Sequence, residues 1–362
     1  MKKTTGYLLL LPIVLIMLLP LLGAAVAGKP LGPYLQFPPR TPDISHPPFS
    51  WIVFIGLSLF IIASVAPLVL RFLKHRRATR KTTPAKPFPW WGWGGVALGV
   101  ITWIIAWNRF PWMGELQAHT FTPLWISFII VVNAILYRKT GNSPLLSQTR
   151  GFLLLFPISA FFWWSFEYLN RFLGNWLYVG CRELSATEYV ILATLPFSTV
   201  LPAVLSVREL IFSSKRFDAA FRNWYRFSPV RPQAVALTAF LFSCAGLLTV
   251  GIIPSIVYPL VWVAPPLLLL SFSAFYGKPQ ALSPIAEGDW RSFVASSFAA
   301  LFCGFFWEMW NSGSMNKWLY EIPYVDAFDI FEMPLLGYAG YLPFGILCAQ
   351  IGNMVLERDG RF

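Results

Sequence analysis

Ten stretches of about 20 mostly apolar residues run along this chain, each bounded by charge or by Pro and Gly clusters. They are Gly6–Ala27, Trp51–Leu70, Trp90–Trp107, Phe121–Tyr137, Gly151–Leu169, Tyr189–Phe212, Gln233–Ile253, Ile256–Tyr276, Phe293–Trp310 and Met333–Leu356. That length is what an α-helix needs to cross the hydrocarbon core of a bilayer. Charged residues make up 12% of the 362 positions, half the ~25% of soluble domains, which excludes an ordinary soluble enzyme and a disordered chain. The sequence therefore predicts an all-α, polytopic integral membrane protein with about ten transmembrane helices. Pro196 and Pro202 in the sixth run do not argue against it, because neighbouring groups re-satisfy freed backbone inside a membrane. Pro259, Pro265 and Pro266 make the eighth run the poorest candidate for one straight helix.

The first run has two readings. Lys2 and Lys3, the apolar Tyr7–Leu22 and the Ala25-Val26-Ala27 sequence are the parts of a cleavable signal peptide, and they equally suit a retained helix. Both place the following segment outside the cytoplasm.

Net charge is +12, and its position carries more information than its size. With a cytoplasmic N-terminus and alternating spans, 22 of the 28 Lys and Arg fall on the cytoplasmic side. Six remain outside: Lys29, Arg40, Arg109, Arg171, Arg182 and Lys317. Cytoplasmic loops of membrane proteins carry this excess, so both termini are placed in the cytoplasm if the first span is retained, in the cell membrane. Arg71–Lys86 is rich in Lys and Arg, but between two spans it is an anchor for anionic headgroups, and no nucleic-acid partner is inferred. Pro30–Pro48 reads as a stiff extended connector. In Arg208–Arg231, Phe217, Phe221, Trp224 and Tyr225 follow helical spacing among Lys215, Arg216, Arg222 and Arg226. This predicts an amphipathic helix in the cytoplasmic interface, with a protein-docking helix as the alternative.

Cys181 lies alone in an outer loop, and Cys244, Cys303 and Cys348 lie inside spans. His46, His75 and His119 are isolated, and no Cys/His metal spacing or Gly-rich phosphate loop is present, so neither a metal nor a cofactor is expected.

The chain is also similar to itself. Phe162-Trp163-Trp164-Ser165-Phe166-Glu167-Tyr168-Leu169-Asn170 resembles Phe305-Phe306-Trp307-Glu308-Met309-Trp310-Asn311. Trp176-Leu177-Tyr178 then matches Trp318-Leu319-Tyr320, Leu195-Pro196-Phe197 matches Leu342-Pro343-Phe344, and Arg150 and Arg291 precede their Glu by the same interval. Four spans map onto four spans in order. The expected organisation is an N-terminal region (1–89) with two spans, a four-helix repeat (90–212), a basic linker (213–232) and a second four-helix repeat (233–356). An even number of helices between them makes the repeats parallel, related by a pseudo-twofold axis along the membrane normal.

Ten of the 16 carboxylates fall on the outer side and cluster at the repeated motif. Ionisable residues within spans are costly and are functional candidates by default. Glu308 and Glu167, with Glu332, are the candidate acid/base residues. Asn170 and Asn311, one turn beyond each Glu, and Trp176, Tyr178, Trp318 and Tyr320 are candidate substrate-binding residues. Asp326, Asp329 and Glu332 form D-x-x-D-x-x-E, and Glu188 opens the sixth span. The bland reading is that each Glu accepts hydrogen bonds from the Trp or Tyr recurring 9–12 residues later, tying loop to helix.

These motif neighbourhoods resemble the integral-membrane lycopene cyclases, which duplicate short helical units around acidic motifs. Such a likeness implies acid chemistry on an isoprenoid, but the paired Glu-Glu after Pro of that family is absent. Glu332-Met333-Pro334 carries one carboxylate in the opposite order, so membership is not assigned. Three functions fit the residues. One is an enzyme acting on an amphipathic lipid or an isoprenoid, with carboxyls as acids and aromatic faces for developing cations. A transporter or channel is the second, with Asn133 and Ser297 among the few further polar groups inside spans. The third is a non-catalytic scaffold. Membrane lipids are the expected partners, with a hydrophobic small molecule as substrate; the oligomeric state stays open.

Overall fold

The computed structural model describes residues 3–38, 44–75, 85–180 and 184–356, without the side chains of residues 3–9 and 115. Lys2, Arg40, most of the 71–86 basic loop, Cys181, Arg182, Arg358 and Arg361 lie outside the described residues. The chain is mostly helical, at 74%, and among the described residues eight helices are long and apolar enough to cross a membrane. Two further apolar helices, Leu10–Val26 and Leu260–Phe275, are shorter. The difference from ten falls at the first run and at the proline-rich eighth, where Pro254–Val257 forms a separate turn.

In chain order the main elements are α1 (Lys3–Val26), α2 (Trp51–Lys74), α3 (Trp90–Trp107), α4 (Phe121–Thr140) and α5 (Thr149–Leu173). Then come β1 (Trp176–Val179), α6 (Ala186–Phe197), α7 (Val200–Phe212), α8 (Lys215–Phe221), α9 (Pro232–Ile252) and α10 (Leu260–Phe275). The chain finishes with α11 (Arg291–Gly313), β2 (Lys317–Tyr320) and α12 (Tyr341–Val355). The buried core is built from α4, α5, α7, α10, α11 and α12, where Trp125, Leu201, Leu268 and Phe344 are fully buried. α2 lies at the margin and buries only Leu68.

The sixth span is broken into α6 and α7, and the break is repaired from outside. Pro202 sits in the first turn of α7, where a missing N–H costs least, and Pro196 sits in the last turn of α6. Ser159 of α5 bridges the gap: its hydroxyl donates to the Phe197 carbonyl (2.6 Å) and accepts from the Leu201 amide (3.0 Å). A capping box, Ser185 with Glu188, starts α6 and accounts for Glu188 as a structural residue.

α1 and α9 meet backbone to backbone. A Cβ on Gly23 would lie 1.9 Å from the Leu248 carbonyl oxygen, and one on Gly251 would lie 2.0 Å from that of Pro20. Small residues permit such close approach between membrane helices. Lys29 Nζ then donates to the Gly251 and Ile252 carbonyls (2.9 and 3.1 Å), which the end of α9 leaves without helical partners.

The 208–231 segment departs from its sequence reading. α8 is only seven residues long, and residues 222–230 are not helical. Phe217 and Phe221 are buried against Leu68 of α2 and Val294 and Ala295 of α11, and Trp224 packs on Trp290 with centroids 5.0 Å apart. Protein covers Phe217 and Phe221, while Tyr225 stays exposed. Arg208, read as a cytoplasmic cation, is buried and donates to Ser296 and Ser292.

On α8, Asp218 accepts from Arg222 and Arg291 (2.6 and 2.7 Å). Partial burial pulls its pKa up, but the two guanidiniums outweigh that and hold the carboxyl below its ordinary value. A depressed folded-state pKa contributes stability above the unfolded-state value, and that stability disappears as pH falls through the folded-state value. Asp218→Asn should therefore unfold earlier than the parent at neutral pH. The gap in thermal midpoint, measured by fluorescence, should close below the ordinary carboxylate range.

Candidate functional site

The repeated motif builds two near-identical corners. At the end of α5, Gly174 takes a left-handed conformation (φ +67°) that ends the helix and turns the chain into β1. Asn170 clamps the returning strand: its Oδ1 accepts from the Asn175 and Trp176 amides (2.9 and 3.3 Å), while its Nδ2 donates to the Trp176 carbonyl (2.6 Å). At the end of α11, Asn311 does the same to Trp318, accepting from its amide (2.9 Å) and donating to its carbonyl (2.7 Å). Each side chain thus satisfies a buried backbone segment that no neighbouring strand reaches on that side.

The two strands then pair with each other. β1 and β2 run antiparallel with Trp176 opposite Tyr320, Leu177 opposite Leu319 and Tyr178 opposite Trp318. Leu177 and Leu319, equivalent in the recurring sequence, therefore face one another directly.

Glu167 and Glu308 lie one helical turn before their Asn, and both are fully buried. Glu167 Oε1 accepts three hydrogen bonds, from Trp163 Nε1 (2.9 Å), Trp176 Nε1 (3.2 Å) and the Tyr178 hydroxyl (2.7 Å). Glu308 Oε1 accepts from the hydroxyls of Tyr320 (2.9 Å) and Tyr341 (2.6 Å), and Trp318 Nε1 donates to the Tyr320 oxygen (2.9 Å). The Oε2 atoms of both glutamates are buried with no hydrogen-bond partner among the described residues. On the strands, burial first and the adjacent carboxyl second push the phenols of Tyr178 and Tyr320 well above their ordinary pKa, so both remain neutral donors.

One difference between the corners is compensated. Four residues before Glu167 stands Trp163; four before Glu308 stands Gly304. A Cβ on Gly304 would lie 2.3 Å from the Tyr341 ring. Tyr341, from α12, fills the space an indole occupies at the other corner, and its hydroxyl supplies the hydrogen bond that Trp163 gives Glu167.

Between the corners lies a cavity of about 110 Å³. Half of its wall residues are aromatic, among them Trp163, Trp176, Tyr178, Trp307, Tyr320 and Tyr341. Trp163 and Trp307 stand 6.4 Å apart, as do Tyr178 and Trp318. The rings that bond the two carboxyls are thus the walls, and the carboxyls sit one ring layer behind them. Among the described residues, no Lys, Arg, Asp or Glu lines the cavity, and His119 and Asn316 are its most polar wall residues. A second void of about 330 Å³ lies between α1, α5, α10 and α12 and is almost wholly apolar, with Pro12, Pro157 and Pro265 in its wall. Phe166 of that wall stacks on Trp262 of the cavity wall, with centroids 5.3 Å apart and planes 20° from parallel.

The structure thus brings together Glu167, Glu308, Asn170, Asn311, Trp176, Tyr178, Trp318 and Tyr320. Glu332 is ion-paired: its carboxylate is 2.6 Å from Lys317 Nζ, which ties the 321–334 loop to β2. Asp326 lies in that loop, where Tyr324, Phe328 and Phe331 all take positive φ. Burial first, and then the charge of Asp329, hold the Asp326 carboxyl above its ordinary pKa. Among the described residues no three His, Cys, Asp or Glu side chains converge to hold a metal. Asn133 bonds Ser206, the Ile129 carbonyl and the Leu145 amide, so its polar atoms fasten α4 to α7 and to the turn after it.

Trp163, Tyr341, Trp262 and Trp307 were not singled out from the sequence. Trp163 carried a signal, since it precedes Glu167 by one turn on the same face; Tyr341, 33 residues from Glu308, carried none. No protein-family model matches this chain, and no curated protein or solved structure is significantly similar to it.

Proposed function

We propose that this is a multi-pass cell-membrane protein of two parallel four-helix repeats, 90–212 and 233–356, that takes an amphipathic lipid-type molecule into the aromatic cavity at their junction and acts on it. Lipids and isoprenoids are the substrate class. The repeat reading is supported by matching packing: α3 on α4 parallels α9 on α10, α4 on α7 parallels α10 on α12, and α7 on α11 parallels α12 on α5. It is also supported by the strand register, in which the equivalent Leu177 and Leu319 meet. The distribution of Lys and Arg supports cytoplasmic termini and an outward-facing cavity.

The observation that carries the reading is the cavity itself, walled by the rings that hydrogen-bond two buried carboxyls. A ligand site of this kind is mostly apolar with a few placed polar groups. Each Glu–Tyr pair can pass a proton between a carboxyl and a hydroxyl at the wall: as a tyrosine takes a proton from the substrate its own moves to the glutamate, and the reverse returns it. In this arrangement the tyrosines touch substrate and the glutamates act through them. The apolar void beyond Phe166 and Trp262 suits the hydrocarbon portion of the same molecule.

Lipid co-purifying with the protein, extracted with its native membrane and identified by mass spectrometry, tests this. The parent should carry an amphiphile enriched over the bulk membrane. Ala193→Phe, which fills the cavity from its α6 wall, should lose it by at least fivefold. Identical lipid profiles would remove the cavity as a binding site and leave a scaffold whose glutamates only tie loops to helices. Solute flux through proteoliposomes that Ala193→Phe leaves intact would favour a transporter instead.

A further inference from the structure

We infer that the group this cavity receives is a compact organic cation, an alkylammonium headgroup or its free small-molecule counterpart; the inference rests on the proposed ligand site and names its chemistry. Three observations converge on positive charge. The walls present the faces and edges of Trp163, Trp176, Trp307, Tyr178, Tyr320 and Tyr341 around a space of about 110 Å³. Aromatic faces attract cations through the ring quadrupole, and cages of Trp and Tyr are the usual recognition device for quaternary ammonium groups. Second, the described wall contains no Lys or Arg, so a phosphate or carboxylate headgroup would enter without a partner for its charge, at a heavy desolvation cost. Third, Glu167 and Glu308, one ring layer back, each hold a fully buried Oε2 with no hydrogen-bond partner among the described residues. Native structures pair nearly all such atoms. An ammonium ion in the cavity gives both carboxyls a counter-charge, acting through the wall tyrosines whose hydroxyls donate to the glutamates.

The substrate of the proposed site is then an amphiphile with a positive head, its chain lying toward the apolar void.

The test uses the full-length protein in nanodiscs of neutral lipid and reads tryptophan fluorescence on titration. The probes are choline, the uncharged alcohol in which carbon replaces its nitrogen, and dodecyltrimethylammonium. Choline should bind at least tenfold more tightly than its uncharged isostere, since a desolvated cation–π contact favours the charged head. The double variant Glu167→Gln, Glu308→Gln should lose that preference, and Trp307→Phe should reduce it without abolishing it. A response to dodecyltrimethylammonium tenfold stronger than to choline identifies a lipid headgroup as the source, and equal responses identify a free cation. Equal binding of choline and its isostere overturns the cation while leaving the cavity a binding site. If no probe binds, and Ala193→Phe still strips a co-purified lipid that carries no positive charge, the cation is again overturned and the site stands. If Ala193→Phe strips nothing, both readings fall.

Discussion

Replacing Glu308 by Leu is expected to remove most of the folded protein from the membrane, whereas replacing it by Gln is expected to spare the fold and remove function. Leu offers no acceptor, so the O–H donors of Tyr320 and Tyr341 are left buried without a partner. Each stranded donor costs about 1–3 kcal/mol, and the two together consume a large part of a stability of about 5–15 kcal/mol. Gln keeps an oxygen for both hydroxyls and discards only the charge and the proton-carrying capacity. Fluorescence-detected gel filtration of membrane extracts measures the first effect, with Glu308→Leu expected at under a third of the parent level. Co-purified ligand per molecule measures the second, expected to fall at least tenfold in Glu308→Gln. A Gln variant that fails to accumulate, yet carries a normal ligand load per molecule, would make Glu308 a structural tie.

The second large effect is expected at the α1–α9 contact. Gly251→Leu places a branched side chain where a Cβ alone would lie 2.0 Å from the Pro20 carbonyl oxygen and 2.6 Å from the Ala24 amide nitrogen. Both are backbone atoms, so no rotamer relieves the clash and the helices must separate. Separation also withdraws Lys29 from the carbonyls it caps and opens the apolar void that Pro12, Ile13 and Ile16 help to wall. Overpacking a close contact costs about 1–3 kcal/mol or more. The membrane level should fall at least threefold, and an enriched lipid should be lost with it. Gly56→Leu is the control: it sits on α2 with open space around its Cβ position and should accumulate normally. If Gly251→Leu also accumulates normally, α1 does not occupy this contact, as would follow from cleavage after Ala25-Val26-Ala27.

The glutamate pair shows how far sequence reasoning reached. Bonds to Glu167 and Glu308 from aromatic residues 9–12 positions later were legible, because helix and turn geometry bring residues that close in sequence together; that Asn170 and Asn311, read as substrate-binding candidates, clamp the returning backbone was not. Tyr341 was not legible, because its approach to Glu308 depends on how α12 packs on α11. Nor was the exchange of Trp163 for Gly304, whose sense appears only when Tyr341 occupies the vacated space. Glu332 looked equivalent to the other carboxylates on paper, and Lys317 on β2 claims it.

The same division holds for the whole chain. Sequence alone determined the membrane class, the approximate places of the helices and the two motif corners, since apolar length and local spacing are properties of one segment against its solvent. It could not decide that Phe217 and Phe221 face protein: an apolar stripe has the same period whether lipid or another helix covers it, and lipid tails are as apolar as leucine. Tertiary structure decided which aromatic rings meet, that their meeting leaves a cavity, and that the two carboxyls stand behind its walls. Those facts arise from contacts between helices far apart in the chain, where no local periodicity leaves a trace.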